Sequence, residues 1–228
     1  ALDSLPRISP RRNKIAFVSR RHVAAHIFLM NMDGSDIQQV TRTPIDGYHN
    51  HGVGFCWSPD GQYLLYPHYD KLYRVDVTGR NTTVVAEAPA HRHFRECAWS
   101  GAANRLAVIT QGEYFYETEL YLLNESGDNR QIVADDTAGV LRHPGFSPDG
   151  TRLVYTYDLS SYEDSDGRLM NSHIFVHDLA DMTRSDVSQN KKEGTNDLYP
   201  VWVPDGGDIL FVNQSNEGLS DPAVYIMD

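Results

Sequence analysis

Ten histidines are spread over the 228 residues, and four of them form two matching pairs. His49-x-His51 stands eight and six residues before Trp57, and His91-x-His93 stands eight and six residues before Trp99. His143 lies ahead of Phe146 in the stretch that follows. Alternate residues of a strand share a side, so each pair could present its two imidazoles together. Neutral imidazole binds Zn, Mn, Fe or Ni readily. His49, His51, His91, His93 and His143 are therefore candidate ligands for a divalent metal, the alternative to an expectation of no cofactor, and equally candidates for contacting a sugar. Arg92, Arg95 and Arg142 stand beside them and would pair with an acidic ligand, with Glu96 and Tyr199 completing the candidate set. The plain alternative is that the pairs are relics of a repeat, each histidine simply solvated or hydrogen-bonded in an exposed loop.

Other chemistries leave no trace. The chain has no G-x-S-x-G elbow, H-E-x-x-H helix, Walker loop or C-x-x-C pair. Its net charge of −11 argues against nucleic acid as a partner. The basic group Arg7, Arg11, Arg12, Lys14, Arg20 and Arg21 reads as a solvated rim. No run approaches the roughly 18 apolar residues of a membrane span. The start, Ala1 to Pro6, has neither a basic nor an apolar stretch, so no signal peptide is expected within this sequence. Cys56 stands one residue before Trp57 and Cys97 two before Trp99. Opposite registers predict buried free thiols that do not point at each other.

The elements that must position these groups are repeats. Five segments align: Ile8-Ser9-Pro10-Arg11-Arg12, Trp57-Ser58-Pro59-Asp60-Gly61, Trp99-Ser100-Gly101-Ala102-Ala103, Phe146-Ser147-Pro148-Asp149-Gly150 and Trp202-Val203-Pro204-Asp205-Gly206. Their steps of 49, 42, 47 and 56 residues suit a four-stranded blade. Proline presets φ, Asp tolerates the next position, and Gly supplies the left-handed residue of a tight corner. Each corner leads into a short apolar strand, such as Tyr63-Leu64-Leu65-Tyr66 or Leu153-Val154-Tyr155. These runs do not alternate with polar residues, as expected of strands covered on both sides. A third strand ends in an Asn/Asp-to-Gly turn, and a more polar fourth strand suits an exposed edge. No stretch keeps a 3.6-residue period. The prediction is an all-β propeller of four-stranded antiparallel blades in one domain, 1–228, with blades near 8–41, 54–86, 96–134, 143–188 and 199–228.

The W-S-P-D-G corner, the I-A-F or L-V-Y strand and the Y-x-M-D strand resemble the repeats of TolB-like propellers, also described as WD40-like. The resemblance covers nearly the whole chain. It implies a periplasmic or secreted scaffold that binds a protein or peptide through loops at the channel mouth, without catalysis. Oligogalacturonate lyases are similar propellers, and that likeness implies the alternative: a metal-dependent enzyme acting on acidic oligosaccharides. The fifth unit ends without an outer strand. Segment 1–7 is the candidate to supply it and close a five-bladed ring; otherwise the chain belongs to a larger propeller. Trp57, Trp99, Phe146 and Trp202 share one register of the innermost strand and should each pack on the next blade. Loops carrying His22, His26, His68, Tyr69, Tyr114, Tyr116 and the acidic run Glu163-Asp164-Ser165-Asp166 should emerge on the same face as the histidine pairs.

Overall fold

The computed structural model describes residues 3–45, 54–136, 139–160, 170–217 and 221–228. They form nineteen strands in five antiparallel sheets, with no helix among the described residues. Blade 1 holds β1 (Asp3–Ile8), β2 (Lys14–Ser19), β3 (His26–Asn31) and β4 (Gln38–Gln39). Blade 2 holds β5 (Cys56–Trp57), β6 (Tyr63–His68), β7 (Lys71–Asp76) and β8 (Thr82–Glu87). Blade 3 holds β9 (His93–Ser100), β10 (Arg105–Gln111), β11 (Thr118–Asn124) and β12 (Gln131–Asp136). Blade 4 holds β13 (Val140–Phe146), β14 (Arg152–Asp158), β15 (Ser172–Asp178) and β16 (Arg184–Asp186). Blade 5 has three described strands, β17 (Thr195–Trp202), β18 (Ile209–Ser215) and β19 (Ala223–Met227).

The corner works as its residues dictate. In blade 2 the Ser58 hydroxyl donates to Asp60 at 2.6 Å and accepts from the Tyr63 amide at 2.9 Å. Gly61 takes φ +68° and donates its amide to the Ser58 carbonyl. Blade 4 repeats this with Ser147, Asp149 and Gly150. Blade 3 lacks the Pro-Asp-Gly run, and there Asn104 takes the left-handed residue at φ +50°. The corners also touch one another. A Cβ on Gly61 would meet Pro10, one on Gly101 would meet Pro59, and one on Gly206 would meet Pro148. Each corner thus rests on the corner of the blade before it.

In blades 2, 3 and 4 the second strands are the most buried. Leu64, Leu65, Tyr66, Leu106, Ala107, Val108, Leu153, Val154 and Tyr155 are all fully covered. Four hydrophobic clusters hold the blades together, one between each consecutive pair from blade 1 to blade 5. Trp57, Trp99, Phe146 and Trp202 join the cluster shared with the preceding blade, not the following one as the sequence suggested. Their side of the innermost strand is set by the sheet's twist and chain direction, which residue types do not encode.

Residues 3–7 do not complete blade 5. They enter β1, which pairs with β2 as the innermost strand of blade 1. No shared cluster joins blade 5 to blade 1 among the described residues. β1 and β19 are largely exposed instead, with Ile8, Val224 and Ile226 open to solvent, as is Val201 of β17.

Candidate functional site

The innermost strands share a departure from regular pairing. Pairing shifts between Ser4 and Arg7 in β1, between Arg142 and Gly145 in β13, and between Leu198 and Val201 in β17. Each is a β-bulge, and each places a non-glycine residue in the left-handed region: Leu5 at φ 52°, His143 at 54° and Tyr199 at 56°. All three stand three residues before the position held by Ile8, Phe146 and Trp202. A left-handed L-residue costs roughly 1–2 kcal/mol, and bulges recur where a side chain must be re-aimed. β9 bulges at the same level, where Glu96 pairs with Ile109 and Phe94 with Thr110. Gly54 occupies that register in blade 2.

These bulges bring side chains from different blades together. The His143 amide donates to Glu96 at 2.7 Å. The His143 ring lies 4.2 Å from that of Tyr199, centroid to centroid. Gly54 leaves room for the approach: a Cβ there would sit 3.3 Å from Cγ of Glu96 and 3.9 Å from a terminal nitrogen of Arg7. Arg7 is held in place by a hydrogen bond of 3.1 Å from the Trp57 indole to its carbonyl and lies over the Phe55 ring. Arg95 is only 1% exposed, and its guanidinium donates to the Gln111 side-chain oxygen Oε1. Burial, then the charge of Arg142, lowers its pKa to about 10, while Glu96 opposes the shift. Burial also lowers the pKa of His143; Glu96 acts against this, while Arg142, Arg7 and Arg95 add to it.

The result is a cationic cluster of three arginines and one glutamate in a chain whose net charge is strongly negative. Two of its buried N–H groups have no acceptor, Arg142 Nε and Gln111 Nε2. An unanswered buried donor costs about 1–3 kcal/mol, and an anion would supply what these lack. The cluster borders a channel cavity of about 710 Å³ lined from the innermost strands of all five blades.

Of the residues singled out by sequence, Arg95, Glu96, Arg142, His143 and Tyr199 meet in this cluster. His91 and His93 do not join them. They line a separate hollow of about 550 Å³ with Asp70, Arg92 and Glu113, where His91 is exposed in a turn and His93 is buried. Arg92 is committed to blade 3, bonded to the Thr110 hydroxyl, the Glu117 carbonyl and the Glu119 carboxylate. His49, His51 and the acidic run Glu163 to Asp166 lie outside the described residues. Among the described residues no three His, Cys, Asp or Glu side chains gather as a metal site. The surroundings of His143 do not fit a divalent cation, because three guanidiniums already act on the imidazole. Sequence reasoning missed Arg7, Gln111 and Gly54. The offset of Arg7 and Gly54 from the corner could have flagged those two; Gln111 lies on the second strand, where nothing in the repeat marks it.

No protein-family description matches the chain, and no curated protein sequence does. Solved structures do match. A putative TolB from Agrobacterium tumefaciens superposes with a TM-score of 0.71 at 16% identity, over 100% of this chain and 77% of that one. The fold is that of a TolB-like β-propeller. TolB from Acinetobacter baumannii gives 0.63 at 16% identity, over 95% of this chain and 52% of that one. An oligogalacturonate lyase in complex with manganese gives 0.69 at 19% identity, over 97% of this chain and 61% of that one. This TolB-like propeller thus spans about three fifths of the length of that lyase.

Proposed function

We propose that this TolB-like propeller is a binding scaffold that receives an anionic group at its channel mouth, with a protein or peptide carboxylate as the leading ligand. One observation carries the reading: Arg7, Arg95 and Arg142, from blades 1, 3 and 4, act on the same buried His143 imidazole with only Glu96 opposing them, while two buried donors lack acceptors. Guanidinium is suited to carboxylate through its planar fork of donors. Tyr114 is exposed and its ring stacks parallel on that of Tyr116, a loop surface of the type that protein interfaces favour. The likeness to TolB goes with a periplasmic or extracellular setting.

A second reading has its own support. An acidic oligosaccharide also carries carboxylates, and one structural neighbour is named as an oligogalacturonate lyase. In that case His143, kept neutral by burial and by like charges, is the group suited to accept a proton α to a uronate carboxylate. The experiment is calorimetric titration with acidic peptides and with oligogalacturonates, on the wild type and Arg142→Gln. Binding of either class that weakens about tenfold or more in the variant supports the anion site. Peptide binding alone supports the scaffold, and formation of unsaturated uronate supports the enzyme. Neither class binding to the wild type would sink the proposal.

A further inference from the structure

Cys56 and Cys97 belong to opposite registers of the repeat, which suggested that their thiols point apart. The structure places them together, and the reason is geometric. Opposite registers point apart within one sheet, but these residues lie on neighbouring sheets packed face to face. Trp57 faces blade 1, so Cys56, one residue away, faces blade 3. Cys97 lies two residues from Trp99 and, like it, faces blade 2. The two sulfurs therefore approach across the same interface.

The contacts agree. Both cysteines are in the single cluster between blades 2 and 3, and both are free thiols. Cys97 Sγ lies 3.6 Å from the Leu65 carbonyl, and Leu65 is the cross-strand partner of Cys56. β5 and β9 have Cα atoms within 8 Å of each other, because blades converge towards the axis. A disulfide needs Cα atoms about 4.4–6.8 Å apart. Both cysteines also line the central channel cavity, which gives a small reagent a route to them. Burial, and then a hydrogen bond with the Cys97 thiol, pushes the Cys56 thiol well above its usual range, which disfavours its thiolate, so the first attack falls to Cys97.

We infer that Cys56 and Cys97 form a thiol–disulfide exchange site in the channel wall, oxidised by a low-molecular-weight disulfide into a bridge between blades 2 and 3. One thiolate attacks the reagent's S–S bond, forming a mixed disulfide and releasing one small thiol. The second cysteine, losing its proton, then displaces the other small thiol. Two protein thiols and one small disulfide become one protein disulfide and two small thiols. The bridge would close a loop across two blades, which restricts the unfolded chain and raises stability. The pair shares the channel with the anion cluster, and Arg7 acts on Cys56, but the bridge does not rest on the anion reading.

The test uses the whole protein equilibrated in glutathione buffers from reducing to oxidising, then quenched with an alkylating reagent and analysed by mass spectrometry. The expected result is paired loss of both thiols, a peptide linking Cys56 to Cys97, and a higher melting temperature that reductant reverses. Cys97→Ser and Cys97→Ala should each remove the intramolecular link, and either one, if folded, suffices. Two alkylatable thiols in the most oxidising buffer, separate glutathione adducts, or links only between molecules would each overturn the inference.

Discussion

The ring of Tyr199 lies against that of His143, with centroids 4.2 Å apart and planes tilted by 46°. The two come from adjacent blades, share one register, and both have a left-handed backbone. The contact therefore depends on two bulges rather than on regular pairing. It places a ring from blade 5 beside an imidazole that also feels charges from blades 1, 3 and 4.

Removing one of those charges should release the imidazole. Arg142→Gln takes a positive charge from beside His143, so the His143 pKa should climb back towards its ordinary value near 6.5. Histidine ring resonances followed by NMR across pH 4 to 8 would measure this. An unmoved titration would mean that burial alone holds His143 neutral and that Arg142 points elsewhere.

Two glycines in equivalent turns separate backbone strain from blade packing. Gly34 and Gly127 both have positive φ, at 84° and 91°. A Cβ on Gly34 would meet nothing within 4 Å, whereas one on Gly127 would collide with the Val85 backbone of the preceding blade. Gly34→Ala should cost about 1 kcal/mol from the left-handed conformation alone. Gly127→Ala should cost roughly 2–4 kcal/mol, since rigid backbone must also give way. Urea denaturation of both variants checks the order, and equal costs would show that the turns do not brace the blades.

The corners, the second strands and the order of strands within a blade were legible because local chemistry determines them. Ser58, Asp60 and Gly61 make the turn that their residue types predict, and an unbroken apolar run such as Leu64 to Tyr66 can only be covered on both sides. β1 was not legible. Asp3 to Ile8 mixes a proline, a serine and two charged residues with only two aliphatic ones, and it becomes a strand by pairing with β2. The site was half legible. Arg95, Glu96, Arg142, His143 and Tyr199 could be chosen by type and position, but the bulges that converge them depend on pairing between strands. The facing of Cys56 and Cys97 was misread because alternation within a strand says nothing about the neighbouring blade.

The tryptophans of the repeat should not be equivalent. Trp57 is 8% exposed, sits within the cluster between blades 1 and 2, and donates to the Arg7 carbonyl. Trp99 is only partly buried at the edge of its cluster, and its indole reaches the Glu125 side chain at 2.7 Å. Trp57→Ala should cost roughly 3–5 kcal/mol, the range for a large buried aromatic, and Trp99→Ala should cost less. Denaturant midpoints of the two variants decide this. A larger loss at Trp99 would mean that blade 3, not blade 2, carries the stronger interface.

Stability should fall as the solution is acidified, in two stages set by different groups. His26, His143 and His177 all have lowered pKa values, with burial the first cause in each. For His177 the neighbouring Arg184 adds to the effect, while Asp178 and Asp181 oppose it. Neither ring nitrogen of His177 has a hydrogen-bond partner, so a proton there would be a poorly solvated charge. Below about pH 6.5 the unfolded chain takes up protons that the folded chain resists, and unfolding gains by the difference. Full stability is thus present above about pH 6.5 and declines as pH drops towards the lowered folded values. The second stage belongs to Asp76 and Asp149, whose pKa values of about 2 come first from hydrogen bonds with Thr78 and Ser147 respectively. Their contribution is intact above about pH 4 and is lost as pH falls through 2. Denaturant midpoints should drop between pH 7.5 and 5, and His177→Gln should flatten that first slope while leaving the decline below pH 4 in place. A midpoint constant from pH 7.5 to 5 would mean that the three histidines are protonated as easily in the propeller as in the unfolded chain.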